Sequence, residues 1–197
     1  DNGPEKSWRE RIKEFSHDSS GIYKEGKRSI YEGGHRVPML IRWPKAVREP
    51  GRTWSGLVGQ TDVLATIADV IGAELPADAG EDSQSFATVL LEPSATHKRL
   101  PLINHGATGR FAVTDGDWKL VLPHRRLKAE LYDLSSDPGE SNNVAKSHPE
   151  KVAALTQQIT AIVCNGRTTP GQPQLNDTDY WSDLTWIKPG AYRRISR

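Results

Sequence analysis

The sequence begins with two residues that can bind a hard cation. Asp1 and Asn2 place a carboxylate beside an amide carbonyl, and Gly3-Pro4 follows as a tight turn. Oxygen donors of this kind suit Ca²⁺ or Mg²⁺, and the neutral Asn limits charge repulsion around the ion. Calcium takes roughly six to eight oxygens, so these two residues would be only part of a site. The same four residue types are also usual in an ordinary surface turn, and both interpretations stay open.

A second segment combines positive charge with glycine. Residues 24–38 carry Lys24, Lys27 and Arg28 ahead of Gly33-Gly34. A lysine in such a segment can present a compact charge to an anion, and paired glycines allow close backbone approach. The alternative is a solvated basic loop that leads into a strand.

The elements that must position these residues follow from the hydrophobic pattern. Residues 1–36 are polar and rich in glycine and predict a long surface loop with a short helix around Trp8–Phe15. An apolar run at 37–44 predicts a strand. Residues 61–72 predict a helix with its apolar residues on one face, capped by Thr61 or Asp62 and ended by Gly72. A capping box formed by Ser147 and Glu150 predicts the start of a second helix that Gly166 ends. Between the two helices, a period of two predicts four short strands at 100–104, 110–114, 118–122 and 130–134, with a hairpin at Asp115-Gly116.

Composition restricts the possible functions. The 197 residues carry 26 basic and 25 acidic side chains, so a strongly polyanionic partner such as nucleic acid is not expected. No apolar run approaches the roughly 18 residues of a membrane span, and no signal peptide opens the sequence. The single cysteine, Cys164, excludes a disulfide within the chain. Because the only methionine is Met39, the sequence is expected to be part of a longer protein.

Four segments occur in a fixed order along the chain. They are Asp1-Asn2-Gly3-Pro4, Gly26-Lys27 through Tyr31-Glu32-Gly33-Gly34 to Arg36-Val37-Pro38, Asp115-Gly116-Asp117-Trp118-Lys119-Leu120-Val121, and Glu130-Leu131-Tyr132-Asp133-Leu134 with Asp137-Pro138 and Glu140 through Asn143. Taken together, they resemble the C-terminal part of a type I sulfatase of the alkaline phosphatase-like superfamily. Between the second and third segments, residues 61–72 resemble a family helix and Asp82-Ser83 the loop after it. Each segment alone is a weak signal, but the ordered set is specific, and the resemblance covers residues 1 to about 167.

The resemblance implies roles for particular residues. It places Asp1 and Asn2 on the active-site metal, expected to be Ca²⁺ rather than Mg²⁺. It assigns Lys27, five residues before the Glu of Tyr-Glu-Gly-Gly, to the sulfate oxygens, whereas Lys24 and Arg28 are out of register. His105 resembles a histidine near the pocket mouth of some members. Removing Lys27 is expected to affect mainly the transition state.

The resemblance also implies a nucleophile outside this chain. In the family it is a formylglycine made from Cys or Ser in a Cys/Ser-x-Pro-x-Arg motif, and Cys164 lacks both the Pro and the Arg. The isolated chain is therefore expected to be inactive, while the parent protein would hydrolyse sulfate esters of small molecules or carbohydrates. The alternatives are a phosphonate or phosphate-ester hydrolase of the same superfamily and a relative that has lost catalysis and serves as a binding or structural module.

The family also implies a fold and a location. We expect an α/β region at 1–95 belonging to the large sulfatase domain, a small antiparallel sheet with one packed helix at 96–166, and an irregular tail at 167–197. A periplasmic or extracellular location is implied by the resemblance alone.

Several residues are left outside these roles. Trp181 and Trp186 are expected to pack back on the body, although they could line a carbohydrate subsite. Arg125, Arg126 and Lys128 form a small basic cluster that could steer an anionic substrate, with a solvated loop as the default. The other histidines are expected to be exposed loop residues: His17, His35, His97, His124 and His148.

Overall fold

A computed structural model describes residues 2–5, 7–47, 49–176, 178, 181–188 and 190–191. The elements along the chain are α1 (Trp8–Phe15), α2 (Glu32–His35), α3 (Asp62–Ile71), α4 (Ala87–Leu91), β1 (Leu102–His105), β2 (Phe111–Asp115), β3 (Trp118–Val121), β4 (Glu130–Asp133) and α5 (Pro149–Asn165). Within these ranges, none of the helices is both long and apolar enough to cross a bilayer.

The four strands form one antiparallel sheet in the order β1-β2-β3-β4. Each strand lies within two residues of its predicted position. The β2–β3 hairpin pairs Asp115 with Trp118, and Gly116 adopts φ +57° in the turn between them. A glycine takes this left-handed conformation without a Cβ penalty, which is why the turn forms here. The predicted hairpin is confirmed.

One face of the sheet is apolar and packs against α5. Val113 and Leu120 are fully buried on this face, and Leu155 and Ile159 of α5 join them in the main hydrophobic cluster. Strand side chains alternate between the two faces, so the period of two in the sequence is what creates this surface. The predicted small sheet with one packed helix is confirmed.

The opposite face of the sheet is mixed in character and carries residues 24–36, which we call the site loop. Ile30 of the loop packs on Ala112 of β2, Val121 of β3 and Tyr132 of β4. Lys119 also belongs to this face, because it lies between two residues that point toward α5. The sheet therefore separates the hydrophobic core from the surface that positions the site loop.

A buried ion pair joins α3 to the start of β1. Arg99 binds both carboxylate oxygens of Asp62, at 2.6 and 2.7 Å, and both residues are almost fully buried. The Asp62 carboxylate also accepts hydrogen bonds from the backbone N–H groups of Gly59 and Gln84. Thr61 is the N-cap residue but makes no capping hydrogen bond, so Asp62 anchors neighbouring segments instead of capping the helix.

The predicted helix at 61–72 forms, and Gly72 ends it with φ +68°. Its predicted apolar face is only partly buried, because Ala68 is buried but Leu64, Ile67 and Ile71 are 49%, 54% and 69% exposed. The side chains that α3 buries include Thr66 and the ion-paired Asp62.

The strand predicted at residues 37–44 is wrong for this structure. The segment forms no ladder with any strand in the described ranges, and Leu40 is 90% exposed. A strand requires a neighbour that pairs its backbone N–H and C=O groups, and apolar β-formers alone cannot supply one.

The capping box predicted for α5 is also wrong. The helix begins at Pro149 with His148 as its N-cap residue and no side-chain cap. The Ser147 hydroxyl instead donates to the carbonyl of Val144 at 3.0 Å, which closes the preceding turn. The end of the helix is as predicted, with Gly166 at φ +63°.

The chain after α5 contributes to the main core. Leu184 and Ile187 are buried there, and Trp181 and Trp186 pack edge-on against Phe111. The prediction that these tryptophans pack back on the body is confirmed. The division into regions at 1–95, 96–166 and 167–197 stays a prediction.

Candidate functional site

The structure brings the two predicted site segments into direct contact. The N–H of Gly3 donates to the carbonyl of Gly34 at 3.1 Å, and the N–H of Lys27 donates to the carbonyl of Pro4 at 2.8 Å. An ion pair between Glu5 and Arg28 joins the same segments at the surface. The residues after the predicted metal motif therefore lie along the site loop.

Glycines allow this contact. A Cβ on Gly3 would lie 1.7 Å from the carbonyl oxygen of Gly33, which is far below any real contact. A Cβ on Gly33 would lie 2.3 Å from the carbonyl oxygen of Glu25, and one on Gly34 would lie 2.3 Å from that of Ser29. The close backbone approach that Gly33-Gly34 predicts is present, and the neighbouring chain is the protein's own backbone.

The two lysines of the site loop have different environments. The Lys24 ammonium lies 3.8 Å from the centre of the Tyr31 ring and donates to the Tyr132 hydroxyl and the Glu140 carbonyl, each at 3.3 Å. The Lys27 ammonium has no ion pair or hydrogen bond to any residue that the structure describes, and its side chain is partly buried. Lys24 is thus held inside the fold, and the substrate role of Lys27 stays a prediction.

The predicted metal ligands are only partly covered by the structure. Asp1 lies outside the described residues, whereas Asn2 is described and exposed. Across the described ranges, no group of three or more His, Cys, Asp or Glu side chains gathers to hold a metal. A carboxylate and an amide oxygen fit a hard cation chemically, but a full ligand shell needs further oxygens. The assignment of Asp1 and Asn2 stays a prediction.

His105 lies at the end of β1, close to the site loop. Its ring stacks on Phe111 with centroids 4.3 Å apart, and Trp181 meets it edge-on at 5.0 Å. Its Nε2 lies 3.7 Å from a carboxylate oxygen of Asp183. Two residues further on, the N–H of Ala107 donates to the carbonyl of Arg28 at 2.9 Å. His105 is therefore fixed near Lys27, and its substrate contact stays a prediction.

A buried charge cluster lies beneath the site loop. The fully buried Lys119 ammonium is 2.8 Å from Glu32 and 3.0 Å from Glu140. Glu140 also accepts a hydrogen bond from the backbone N–H of Glu32 at 2.5 Å. Burial raises the pKa of Glu140, and the Lys119 ammonium opposes that shift. Reasoning from the sequence did not give Lys119 a role, although its alternate position in β3 places it on the site-loop face.

A second cluster fixes the middle of the loop. Glu130 accepts hydrogen bonds from the hydroxyls of Tyr31 at 2.8 Å and Tyr132 at 2.5 Å, and Arg110 binds its other oxygen at 2.7 Å. Burial opposes ionisation of Glu130, but the hydrogen bonds from Tyr132, Arg110 and Tyr31 outweigh it and lower the pKa of this carboxyl. Burial, together with the hydrogen bond to Glu130, raises the pKa of Tyr31 to about 12.

At least three of the histidines expected to be exposed are not, and one of them, His97, has a buried Nε2 with no hydrogen-bond partner among the described residues. His124 is 4% exposed, and its Nε2 lies 3.3 Å from a carboxylate oxygen of Asp183. The Nε2 of His35 is buried with no hydrogen-bond partner among the described residues, and burial lowers the pKa of this imidazole. The expectation was wrong because burial here comes from distant chain segments, which local polarity does not reveal.

Comparison with known proteins identifies the family. Residues 21–165 match the family described as N-sulphoglucosamine sulphohydrolase, C-terminal. The chain therefore belongs to the sulfatases and corresponds to the C-terminal part of such a protein. The resemblance on which the site residues were assigned is confirmed, and so is the alkaline phosphatase-like fold class.

Individual relatives agree with this assignment. An N-acetylgalactosamine-6-O-sulfatase of Bacteroides thetaiotaomicron is 35% identical over 160 residues, which cover 74% of this chain and 31% of the relative. Human arylsulfatase A is 32% identical over 205 residues, covering 89% of this chain and 39% of the relative. The matched part of this chain thus spans 31% and 39% of the length of these two relatives.

Solved structures show the same similarity. One, from work on glycosaminoglycan metabolism by Bacteroides thetaiotaomicron, is 33% identical with a TM-score of 0.71 and covers 82% of this chain and 37% of its own. Another, solved with its substrate D-glucosamine-2-N,6-O-disulfate, is 27% identical with a TM-score of 0.58 and covers 69% of this chain and 30% of its own.

Proposed function

We propose that the protein containing this chain hydrolyses sulfate esters of saccharides, and that Lys27 contacts the sulfate oxygens. The observation that carries the proposal is the contact of residues 2–5 with the site loop, which sets Lys27 beside the predicted metal motif. The similar N-acetylgalactosamine-6-O-sulfatase and the structure with bound glucosamine disulfate support a sulfated sugar as the substrate class.

The chemistry requires positive charge at a fixed position. Cleavage of a sulfate ester develops negative charge on the sulfuryl and leaving-group oxygens, and a preorganised cation stabilises that charge more than it stabilises the substrate. The Lys27 backbone is fixed by the hydrogen bond to Pro4, and the loop around it is anchored through Glu32 and Tyr31 to the sheet. Lys27 therefore acts as an electrostatic stabiliser in this proposal and transfers no proton.

The proposed cofactors are a divalent cation, Ca²⁺ in preference to Mg²⁺, and a formylglycine outside this chain. Asp1 and Asn2 would supply two oxygen ligands, and the remaining ligands would come from other parts of the protein. When bound, such a cation polarises sulfate oxygens as a Lewis acid. The proposal also includes His105 as a substrate contact at the edge of the site. It further includes a periplasmic or extracellular location of the protein, and cell fractionation would test that location.

The test compares Lys27→Ala with Lys13→Ala in the full-length protein. Lys13 is an exposed lysine in the last turn of α1 and serves as the matched control. We expect Lys27→Ala to lower kcat/KM for a sulfated hexosamine by about 100- to 1000-fold at an unchanged melting temperature, as for other preorganised electrostatic groups. Lys13→Ala should leave both quantities unchanged.

Two results would contradict the proposal. Equal activity of Lys27→Ala and the unaltered protein would remove Lys27 from the site. Turnover of a phosphate ester with none of the sulfate ester would favour a phosphoesterase of the same superfamily. Sequencing upstream of Asp1 adds an independent check, because the proposed nucleophile requires a Cys/Ser-x-Pro-x-Arg motif there.

A further inference from the structure

A tight turn after β3 presents two adjacent arginines in an unusual backbone conformation. His124 and Leu127 exchange backbone hydrogen bonds at 3.1 and 2.9 Å, which leaves Arg125 and Arg126 as the two central residues. Arg125 has φ +55°, whereas Arg126 is not among the residues with positive φ. A positive φ at the first central residue alone is the φ pattern of a type II′ turn, in which glycine is the usual residue at that position. A side chain that holds a strained position of this kind often serves a functional site.

The turn forms one wall of a cleft of 370 Å³. Its lining residues are Thr108, His124, Arg125, Arg126 and Leu127. The two arginines are exposed, and neither guanidinium has an ion pair or hydrogen bond to any residue in the described ranges. Guanidinium groups bind carboxylates and sulfate-like anions through paired N–H donors, so the cleft has the chemistry of an anion site.

The floor of the cleft is held rigidly. His124 is buried and contacts Asp183, whose carboxylate also contacts His105. Gly109 lies directly against Asp183, because a Cβ on this glycine would meet the carboxylate at 2.6 Å. The loop that carries Thr108 and the turn that carries the arginines are thus connected through Asp183.

The cleft is near Lys27. The carbonyl of Arg28 accepts a hydrogen bond of 2.9 Å from the N–H of Ala107, the residue before Thr108. Standard backbone dimensions then place the Cα atoms of Lys27 and Thr108 at most about 15 Å apart. Because Thr108 lines the same cleft as Arg125 and Arg126, the edge of that cleft lies within about 15 Å of the Lys27 Cα. A disaccharide, together with the long lysine and arginine side chains, can span a separation of this size.

We propose that Arg125 and Arg126 form a subsite for a second anionic group on the saccharide whose sulfate ester is held at Lys27. The group is a second sulfate or a uronate carboxylate, since both offer paired oxygens to a guanidinium. This inference rests on the proposed function and narrows its substrate class to sugars with at least two anionic groups.

The experiment uses the full-length protein with Arg125→Gly, Arg126→Ala and Lys128→Ala. Arg125→Gly suits the turn better than arginine, so its melting temperature should equal or exceed that of the unaltered protein. Lys128→Ala removes the same charge from the same loop without altering the cleft lining. The first ligand pair is D-glucosamine-2-N,6-O-disulfate and D-glucosamine-6-O-sulfate. The second pair is a 6-O-sulfated hexosamine–uronate disaccharide and its uronate methyl ester.

We expect the unaltered protein to favour the more highly charged member of one pair in kcat/KM. Each arginine variant should reduce that preference at least tenfold by raising KM with kcat unchanged, which is the pattern of lost uniform binding. Loss of preference in the first pair identifies a second sulfate, and loss in the second pair identifies a carboxylate. Lys128→Ala should keep the preference. An unchanged preference in both arginine variants, or an equal loss in Lys128→Ala, would overturn the subsite.

The proposed function and the subsite fail in different ways. A protein that hydrolyses these esters but ignores both arginines retains the function and loses the subsite. A protein that turns over none of the four ligands loses the function. Titration calorimetry with the same ligands then decides the subsite. If the subsite exists, the arginine variants must bind the more charged ligand more weakly than the unaltered protein does.

Discussion

Replacement of Lys119 by methionine tests whether the sheet holds the site loop in place. The ammonium is fully buried between Glu32 at 2.8 Å and Glu140 at 3.0 Å, so Lys119→Met leaves two carboxylates close together without their cation. Removing one partner of a buried ion pair typically costs about 3–5 kcal/mol, and we expect a loss of free energy of unfolding in this range. Equilibrium unfolding in urea, followed by tryptophan fluorescence, measures it.

A second substitution shows where the loss comes from. In Lys119→Met, the added change Glu140→Gln removes one of the two stranded charges and keeps the side-chain shape. We expect the double variant to be more stable than Lys119→Met, which a double-mutant cycle reports as a coupling energy. If Lys119→Met unfolds with less than about 1 kcal/mol of loss, or the second change adds a further independent loss, the ion cluster does not anchor the loop.

The change of the free energy of unfolding with pH tests the same ion cluster, both in the unaltered protein and in Lys119→Met. Burial raises the pKa of Glu140, so the folded state binds this proton more tightly than the unfolded chain does. The free energy of unfolding therefore falls as the pH rises from the ordinary Glu value of 4.5 through the raised value. Without the Lys119 cation the shift grows, and acidification should recover part of the stability lost in Lys119→Met. A loss that is independent of pH would contradict this reasoning.

Three further outcomes are expected. Asp62→Ala leaves the buried Arg99 guanidinium without its carboxylate and should lower the free energy of unfolding in urea by about 3–5 kcal/mol. A small effect of Asp62→Asn would show that only the hydrogen bonds of Asp62 matter and not its charge. In the unaltered protein, the free energy of unfolding should fall between pH 10 and about 12, because folding raises the pKa of Tyr31 from 10.0 to about 12. In Tyr31→Phe this decrease should be smaller. Ile67→Lys, on the exposed side of α3, should change the melting temperature of the 197-residue chain little, and a large drop would show that this side is covered in solution.

Local sequence signals predicted much of the fold. The strands carry alternating patterns, and the β2–β3 hairpin has Gly116 where a positive φ is needed, so both follow from neighbouring residues. Helices α3 and α5 end at glycines in the left-handed conformation, as expected. The segment at 37–44 failed because a strand depends on a partner, which the segment's own composition cannot specify.

The candidate site was predictable only in part. The resemblance to a family aligned Lys27 and Asn2, and the structure shows that their segments touch. The supports beneath them were missed, because the contacts of Lys119 join residues that are 21 and 87 positions apart in the chain. His124 was misjudged for the same reason, since its partner Asp183 lies 59 residues away.

The anchoring of the site loop has a consequence for how the protein is made. Synthesis proceeds from the N-terminus, and the loop at 24–36 emerges from the ribosome long before Lys119, Glu130 and Glu140 exist. Lys27 therefore cannot acquire its final setting until more than a hundred further residues have been added and the sheet has closed. A nascent chain interrupted before residue 140 would carry the lysine without the framework that orients it, so this side of the candidate site is assembled only when translation has passed the sheet.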